Sequence, residues 1–218
     1  MELPLERLII TAGTLAAIAL LLANLLLWSR TASYYLNYVE GQAVELAESF
    51  LLGRPVGLTL EIYRENLTAL ITVSLPNEEP ILLVEPYSSF KLLLPREAGY
   101  AVLAGREGGY SEPGVFVFEA GRYVYAVVKP YANHTVQDLG GRRLHRVTVK
   151  LFSLEAPSYP KGSKLARLRT YSDEYCRVYD YEGWVAVMIN GEAVVRFKVD
   201  KGDMLRFVVV REVWGLKS

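Results

Sequence analysis

The most constraining feature of this chain is an uninterrupted apolar run near its beginning. From Leu8 to Ser29 the sequence LIITAGTLAAIALLLANLLLWS carries no formal charge over 22 residues, and Arg7 and Arg30 flank it. At about 1.5 Å per residue, a helix of this length spans about 33 Å, whereas the hydrocarbon core of a bilayer is about 30 Å thick. The run therefore predicts a transmembrane helix over residues 8–29.

The side of the membrane is predicted from chain length. Arg7 and Arg30 lie on opposite sides of the apolar run, so the positive-inside rule does not decide its orientation. A short stub and a long folded remainder favour a cytoplasmic segment over residues 1–7 and an extracytoplasmic remainder in a single-pass protein of the cell membrane. The alternative is a cleaved secretory signal ending near Thr31-Ala32-Ser33, although the apolar region of such signals is usually about 7–15 residues.

Small side chains recur along one side of the apolar run and make it a candidate helix-association surface. Small residues at spacings of three and four let another helix approach closely, and an Asn within such a run can hydrogen-bond across the contact. The alternative is that alanine is simply common in apolar helices. The candidate association residues are Ala12, Ala16, Ala19, Ala23 and Asn24.

The helical pattern continues beyond the apolar run as an amphipathic helix over residues 30–54. Its apolar residues repeat at spacings of four and three, and Gly53 followed by Arg54-Pro55 ends the pattern. We expect one helix of about 45 residues whose second half packs on the following domain. A coiled coil with other copies is the alternative, but the repeat is shorter than such a structure usually needs. The stripe consists of Ala32, Leu36, Val39, Ala43, Leu46 and Phe50.

The remainder, residues 55–218, has the pattern of short strands separated by turns. Asn190-Gly191 predicts a two-residue hairpin, Asp200-Lys201-Gly202-Asp203 predicts a second turn, and Glu65-Asn66 predicts a third. Prolines are expected at or outside strand ends. About ten strands without intervening helices indicate an antiparallel β-sandwich or β-barrel. The expected fold class is therefore α+β, mostly β, with a long N-terminal helix that is transmembrane and then amphipathic.

Charge and composition argue against several kinds of function. The chain has 24 basic and 24 acidic residues, which does not favour nucleic acid as a partner. Cys176 is the only cysteine, and His134 and His145 lack a ligand spacing typical of a metal site. We find no sequence motif for catalysis or for a cofactor. The expectation is a non-enzymatic protein without metal or cofactor.

Two further sets of residues suggest contacts at the surface. Asn66-Leu67-Thr68 and Asn133-His134-Thr135 are glycosylation acceptor motifs, which fit an external domain. A cluster of aromatic residues is a candidate interface with another subunit, or a platform for a carbohydrate or another ligand. This candidate interface consists of Tyr171, Tyr175, Tyr179, Tyr181 and Trp184.

The order of a long helix followed by an all-β head resembles archaeal type IV pilin-like proteins, including membrane-anchored accessory proteins of the archaellum machinery. The resemblance implies a structural or assembly role in a surface filament or envelope complex, with self-association or assembly partners. Leu5-Glu6-Arg7-Leu8 lacks the small residue that precedes the apolar run in that family, which favours an accessory protein over a released filament subunit.

Two other functions remain open beside this one. The first is a receptor module that binds a ligand or carbohydrate. The second, more remote, is a sortase-like cysteine peptidase or transferase built on His145, Cys176 and Arg177 or Arg196. Its hallmark Thr-Leu-x-Thr-Cys is replaced here by Ser172-Asp173-Glu174-Tyr175-Cys176.

Overall fold

The computed structural model describes the backbone of residues 5–180 and 182–217 and, within the helix, the side chains of residue 14, residues 17–27 and residues 33–51. One helix precedes the strands. The elements are α1 (Leu5–Leu51), β1 (Val56–Gly57), β2 (Ile62–Ser74), β3 (Ile81–Ala104), β4 (Val115–Val128), β5 (Tyr131–Asp138), β6 (Arg143–Leu154), β7 (Ser158–Tyr159), β8 (Lys164–Val178), β9 (Gly183–Ile189), β10 (Glu192–Val199) and β11 (Met204–Leu216).

The transmembrane assignment of residues 8–29 is wrong. Within the described part of the chain, no helical segment is both long enough and apolar enough to cross a bilayer. The predicted localisation as a single-pass protein of the cell membrane is therefore wrong as well. The predicted cytoplasmic stub and extracytoplasmic head both depend on that anchor and lose its support. Residues 1–4 of the stub lie outside the described residues.

The second half of α1 packs on the β-domain. Five of the six residues of the amphipathic stripe, from Leu36 to Phe50, are buried, while the side chain of Ala32 lies outside the described residues. They contact an apolar cluster from β3 and β4 and from the ends of β6 and β11. The Phe50 ring lies 4.9 Å from the Phe152 ring and 5.1 Å from the Trp214 ring, measured between centroids. This is the packing that the sequence pattern favoured over a coiled coil.

The strands form two sheets around a second apolar core. The first sheet has the order β1-β8-β11-β6-β5, and the second has the order β10-β9-β2-β3-β4, with β7 beside β2. The core between the sheets includes Ile71, Val149, Val187 and Phe207, all of them buried. Ile71, Val149 and Val187 alternate with less buried side chains along their strands, as expected for strands with one face on a core.

The prediction of a purely antiparallel sandwich or barrel is also wrong. β11 pairs with β6 in parallel, from Met204 opposite Leu144 to Trp214 opposite Leu154. Parallel neighbours need a crossover connection, and here the intervening chain passes through the second sheet as β9 and β10 before it returns. The sequence pattern of β11 marks a buried strand but does not reveal the direction of its neighbour.

Several predicted strand boundaries are wrong for a related reason. Glu65 and Asn66 do not form a turn, because β2 continues through them and pairs with Ser89 and Ser88 of β3. The expectation that every proline lies at or outside a strand end also fails. Pro86 lies within β3 but before its first pair with β4, so one side of the strand is open there, and Pro95 lies where the β3–β4 register shifts.

Two predicted turns are confirmed. Asn190 and Gly191 connect β9 to β10 with φ angles of 51° and 83°, the positive values that a tight hairpin turn of this type requires at both positions. The Asp203 N–H donates to the Asp200 carbonyl at 3.0 Å in the turn before β11, and Gly202 has a φ of 92°. Both turns depend on residues that tolerate the left-handed region.

Candidate functional site

An exposed apolar stretch of α1, residues 17–27, extends beyond the part of the helix that packs on the strands, and we call it the projecting segment. Leu20, Leu21, Leu22 and Leu25 are 55–66% exposed. Since successive residues of a helix are about 100° apart, these four side chains point in several directions and not along one stripe. A helix that is apolar around its circumference is normally buried among other structures.

The candidate association residues fall on this segment or before it. Ala19, Ala23 and Asn24 are exposed on the projecting segment. Ala19 and Ala23 are four residues apart and therefore share one side of the helix, where they leave a shallow path between larger leucines. The side chains of Ala12 and Ala16 lie outside the described residues.

The tyrosine-rich candidate interface does not form one surface. Tyr171 and Tyr175 are exposed on β8, whereas Tyr179 follows the strand and is buried. Trp184 is exposed on β9 in the other sheet, where the Arg196 guanidinium lies 4.7 Å from its ring centroid. Tyr181 lies outside the described residues.

Both glycosylation motifs lie at the surface. Asn66 is exposed on β2, and Asn133 is exposed on β5, at an edge of the first sheet. Each is within a paired strand, opposite Ser88 and Thr148 respectively.

The residues of the sortase-like alternative are kept apart by the sheet. His145 and Cys176 lie two strands apart, opposite the adjacent β11 residues Leu205 and Arg206, and so project from opposite faces. The Cys176 thiol donates to Glu174 Oε1 at 3.1 Å, and this hydrogen bond raises the pKa of the thiol. A raised thiol pKa reduces the thiolate fraction that nucleophilic chemistry requires.

Two histidines and an aspartate form a cluster that the sequence pattern does not predict, since it shows only that the histidines lack a ligand spacing typical of a metal site. His134 Nε2 lies 3.2 Å from His145 Nδ1, and His145 Nε2 lies 3.4 Å from Asp203 Oδ2. The Phe197 ring stacks on both imidazoles, with centroids 4.3 Å and 4.5 Å away. Alternation across the neighbouring strands β5 and β6 is the signal that could have placed the two histidines on one face.

Asp203 is the most strongly held group of this cluster. Its carboxylate accepts hydrogen bonds from the Asp200 N–H and from the Arg143 N–H and guanidinium, at 2.8–3.1 Å. Burial raises the pKa of Asp203, but these hydrogen bonds outweigh it and lower the pKa to about 2. Burial lowers the pKa of both His134 and His145. The cluster therefore holds a buried carboxylate beside neutral imidazoles and links the turn before β11 to β5 and β6.

An aromatic cavity of about 380 Å³ is a second feature that the sequence analysis did not identify. The rings of Phe116, Phe118 and Tyr125 stack along one face of β4, with successive centroids 5.0 Å apart. The opposite face of β4 carries Val117 and Val124, which pack against α1. Local alternation at Phe116-Val117-Phe118 and at Val124-Tyr125 is the available signal. The register shift between these two stretches, which brings their aromatic rings to one face, is not visible in the sequence. The lining also includes Glu65, Leu67, Tyr87, Ser89, Tyr100, Glu107, Gly108, Tyr110, Val127 and Lys129.

Charged groups border this cavity. Lys91 Nζ pairs with Glu65 at 2.5 Å and lies 4.9 Å from the centroid of the Tyr123 ring, next to Tyr125. Lys129 Nζ donates to the Gly108 carbonyl at 2.8 Å, and burial lowers the pKa of this lysine. Aromatic faces with carboxylates and ammonium groups nearby can hold a ligand that has both apolar faces and hydroxyl groups.

Comparisons with known proteins identify no relative. The chain matches no protein-family model, no curated protein and no solved structure at a significant level.

Proposed function

We propose that this protein is a non-enzymatic assembly subunit, pilin-like in its organisation, whose projecting segment packs among the same segments of other copies and whose β-domain forms the surface of the assembly. The single observation that carries the proposal is the exposed apolar surface of residues 17–27 on a helix whose second half is already buried. The resemblance to type IV pilin-like proteins supports a filament or a larger complex as the product.

The shape of the exposed surface favours several neighbours over one. A single partner helix covers one side of an α-helix, whereas Leu20, Leu21, Leu22 and Leu25 present apolar surface in several directions. Identical helices arranged around one another can cover every side. The shallow path at Ala19 and Ala23 then permits close approach of one neighbour, and Asn24 offers its amide for a hydrogen bond between copies.

The test compares two leucine-to-glutamate variants of the full chain. Leu21→Glu places a charge in the projecting segment and should convert assemblies to single copies or pairs, because an unpaired carboxylate would be buried between helices. Leu52→Glu is the matched control, since Leu52 is 60% exposed just beyond α1 and outside the segment. Chemical crosslinking followed by mass analysis in mild detergent gives the number of copies.

Two results would contradict the proposal. One is a strictly monomeric unmodified chain, without crosslinked partners, under conditions that preserve its fold. The other is equal loss of assembly with Leu21→Glu and Leu52→Glu, which would remove the link to the projecting segment.

A second candidate function, a ligand- or carbohydrate-binding module, is favoured by the aromatic cavity. Its volume of about 380 Å³ would accommodate one or two sugar units, and stacked rings suit the apolar faces of sugars. The Tyr125→Ala variant should lose binding of an oligosaccharide that the full chain retains on a glycan array. Trp184→Ala is the control, because Trp184 lies outside the cavity. A chain that retains no glycan above background would exclude this candidate.

A further inference from the structure

The outer edge of β8 is open along most of its length. β11 pairs with β8 from Leu165 to Val178, whereas β1 covers the other side only at Lys164 and Leu165. No other strand among the described residues pairs with this outer edge. The open stretch, residues 166–178, is about 43 Å long. An open edge presents unpaired N–H and C=O groups and can accept another strand.

The side chains of this edge are exposed on both faces of the sheet. Every residue from 167 to 178 is exposed, and the sequence of the stretch is RLRTYSDEYCRV. The register of β8 on β11 shifts between Arg169 and Arg167, so Leu168 forms a bulge at one end. The regular part of the open edge therefore begins at Arg169.

We propose that this edge pairs with the same edge of a second copy, antiparallel, about a two-fold axis at Tyr171. A two-fold axis perpendicular to a sheet joins two edges into one continuous sheet and keeps each side chain on its own face. The interface is then isologous: each residue on one side of the axis faces its counterpart on the other side. This contact involves β8 and not α1, so it does not depend on the assembly role of the projecting segment.

Charge complementarity favours registers that place a basic residue opposite Asp173. The axis at Tyr171 is one of them, and an axis at Tyr175, with Asp173 opposite the partner's Arg177, is the competing register that the crosslinking test below separates from it. With the axis at Tyr171, Arg169 lies opposite the partner's Asp173, and this pair occurs twice because of the symmetry. With the axis at Asp173 or Glu174, a carboxylate would face its own copy, which destabilises cross-strand pairs. With the axis at Ser172, Asp173 would face a tyrosine and lose its basic partner.

The side chains near the axis already have the positions that this register requires. Asp173 is exposed and forms no ion pair among the described residues, although Arg169 lies on the same strand. The Arg169 guanidinium lies 5.4 Å from the Tyr171 ring centroid and pairs with Glu155 at 3.1 Å. It is therefore already held on the face where the partner's Asp173 would arrive. Thr170 and the partner's Ser172 would lie opposite each other on the other face.

Position-specific crosslinking of the full chain tests the axis. In a Cys176→Ser background, Tyr171→Cys places one cysteine on each side of the axis, where opposite β-carbons lie about 4.5–5.5 Å apart. It should form a disulfide-linked dimer on mild oxidation. Val178→Cys is the matched control, because the two copies of residue 178 would be about 46 Å apart. Dimer yields that are equal at the two positions would overturn the proposal.

Charge exchange tests the register. Arg169→Asp and Asp173→Arg should each weaken dimerisation by about tenfold, since two attractive pairs per dimer become repulsive. The double variant R169D/D173R restores opposite charges and should regain most of the lost affinity. A double variant that is as weak as the two single variants combined would rule out this register.

The Leu21→Glu background separates this contact from the assembly through α1. If both contacts exist, chains with Leu21→Glu remain dimers that dissociate with Asp173→Arg, as measured by sedimentation. A Leu21→Glu chain that is monomeric at all concentrations overturns the β8 contact and leaves the helix contact intact. Large assemblies that persist with Leu21→Glu contradict the helix contact and do not affect the β8 test.

Discussion

At the residue scale, Asp203 shows how one buried carboxylate can determine acid stability. The pKa of Asp203 is about 2 in the folded protein and 3.8 without its partners. A lowered pKa means that the stabilisation is complete above pH 4 and is lost as the pH falls through 2, and its size is about 2 kcal/mol. The Arg143 and Asp200 N–H groups that hold the carboxylate are the physical source.

Replacing Asp203 tests this assignment. Asp203→Asn should lower the free energy of unfolding by at least about 2 kcal/mol near pH 6, because an amide cannot replace the charge facing Arg143. The difference from the unmodified protein should shrink between pH 4 and pH 2. Urea unfolding at a series of pH values measures it. The exposed Asp180→Asn is the control, and a constant difference down to pH 2 would contradict the assignment.

Two glycines make opposite predictions for the same substitution. Gly105 has a φ of 71°, and a β-carbon there would lie 2.0 Å from the Val115 carbonyl oxygen, so Gly105→Ala should destabilise the protein by more than about 2 kcal/mol. Gly41 lies in α1, and a β-carbon there would meet no other part of the fold within 4 Å, so Gly41→Ala should stabilise by about 0.5–1 kcal/mol. Thermal unfolding of the two variants is the measurement, and a shift of the same sign in both would contradict it.

At the element scale, the attachment of α1 depends on Phe50. This side chain is 2% exposed and contacts Phe90, Phe152 and Trp214. Phe50→Ala should therefore cost about 3–5 kcal/mol, as for other large aromatic residues in cores. Hydrogen exchange should become faster in the second half of α1. Leu52→Ala, at an exposed position, should change stability by less than about 0.5 kcal/mol, and equal effects would show that Phe50 does not anchor the helix.

The elements also show what sequence reasoning can and cannot recover. Turns depend on adjacent residues. The turn at Asn190-Gly191 needs positive φ at both positions, and Asn and Gly are residue types that tolerate it. Strand continuity is not local, because Glu65-Asn66 and Pro86 have turn chemistry that pairing with a neighbouring strand overrides. The contact between His134 and His145 depends on the pairing of β5 with β6. The separation of 11 residues in the sequence does not by itself reveal that pairing.

The apolar run near the beginning is the most prominent feature of the sequence and shows the largest difference between prediction and structure. Hydropathy and length together predict a membrane span, which the described helix does not support. The same leucines remain exposed on the projecting segment. The hydropathy of the sequence therefore locates an exposed apolar surface. It does not identify the medium or the partner that covers this surface.

At the scale of the whole molecule, the two proposed contacts make a joint prediction. A repeating contact through the projecting segment gives larger assemblies when a two-fold contact through β8 also joins neighbouring ones, whereas the β8 contact alone gives only pairs. Asp173→Arg should shorten assemblies seen by electron microscopy, and Leu21→Glu should reduce them to pairs. Assemblies of unchanged length in the Asp173→Arg variant would show that β8 takes no part in their growth.

The position of β11 has a consequence for synthesis on the ribosome. This strand lies between β8 and β6, so β5 and β6 cannot join β8 in one sheet until residues 204–216 have left the exit tunnel. Until then the edge of β6 opposite β5 has no partner strand, so the hydrogen bonds on that side wait for the segment that begins at Met204. We expect nascent chains halted before Met204 to be sensitive to protease in β5 and β6 and to bind chaperones there.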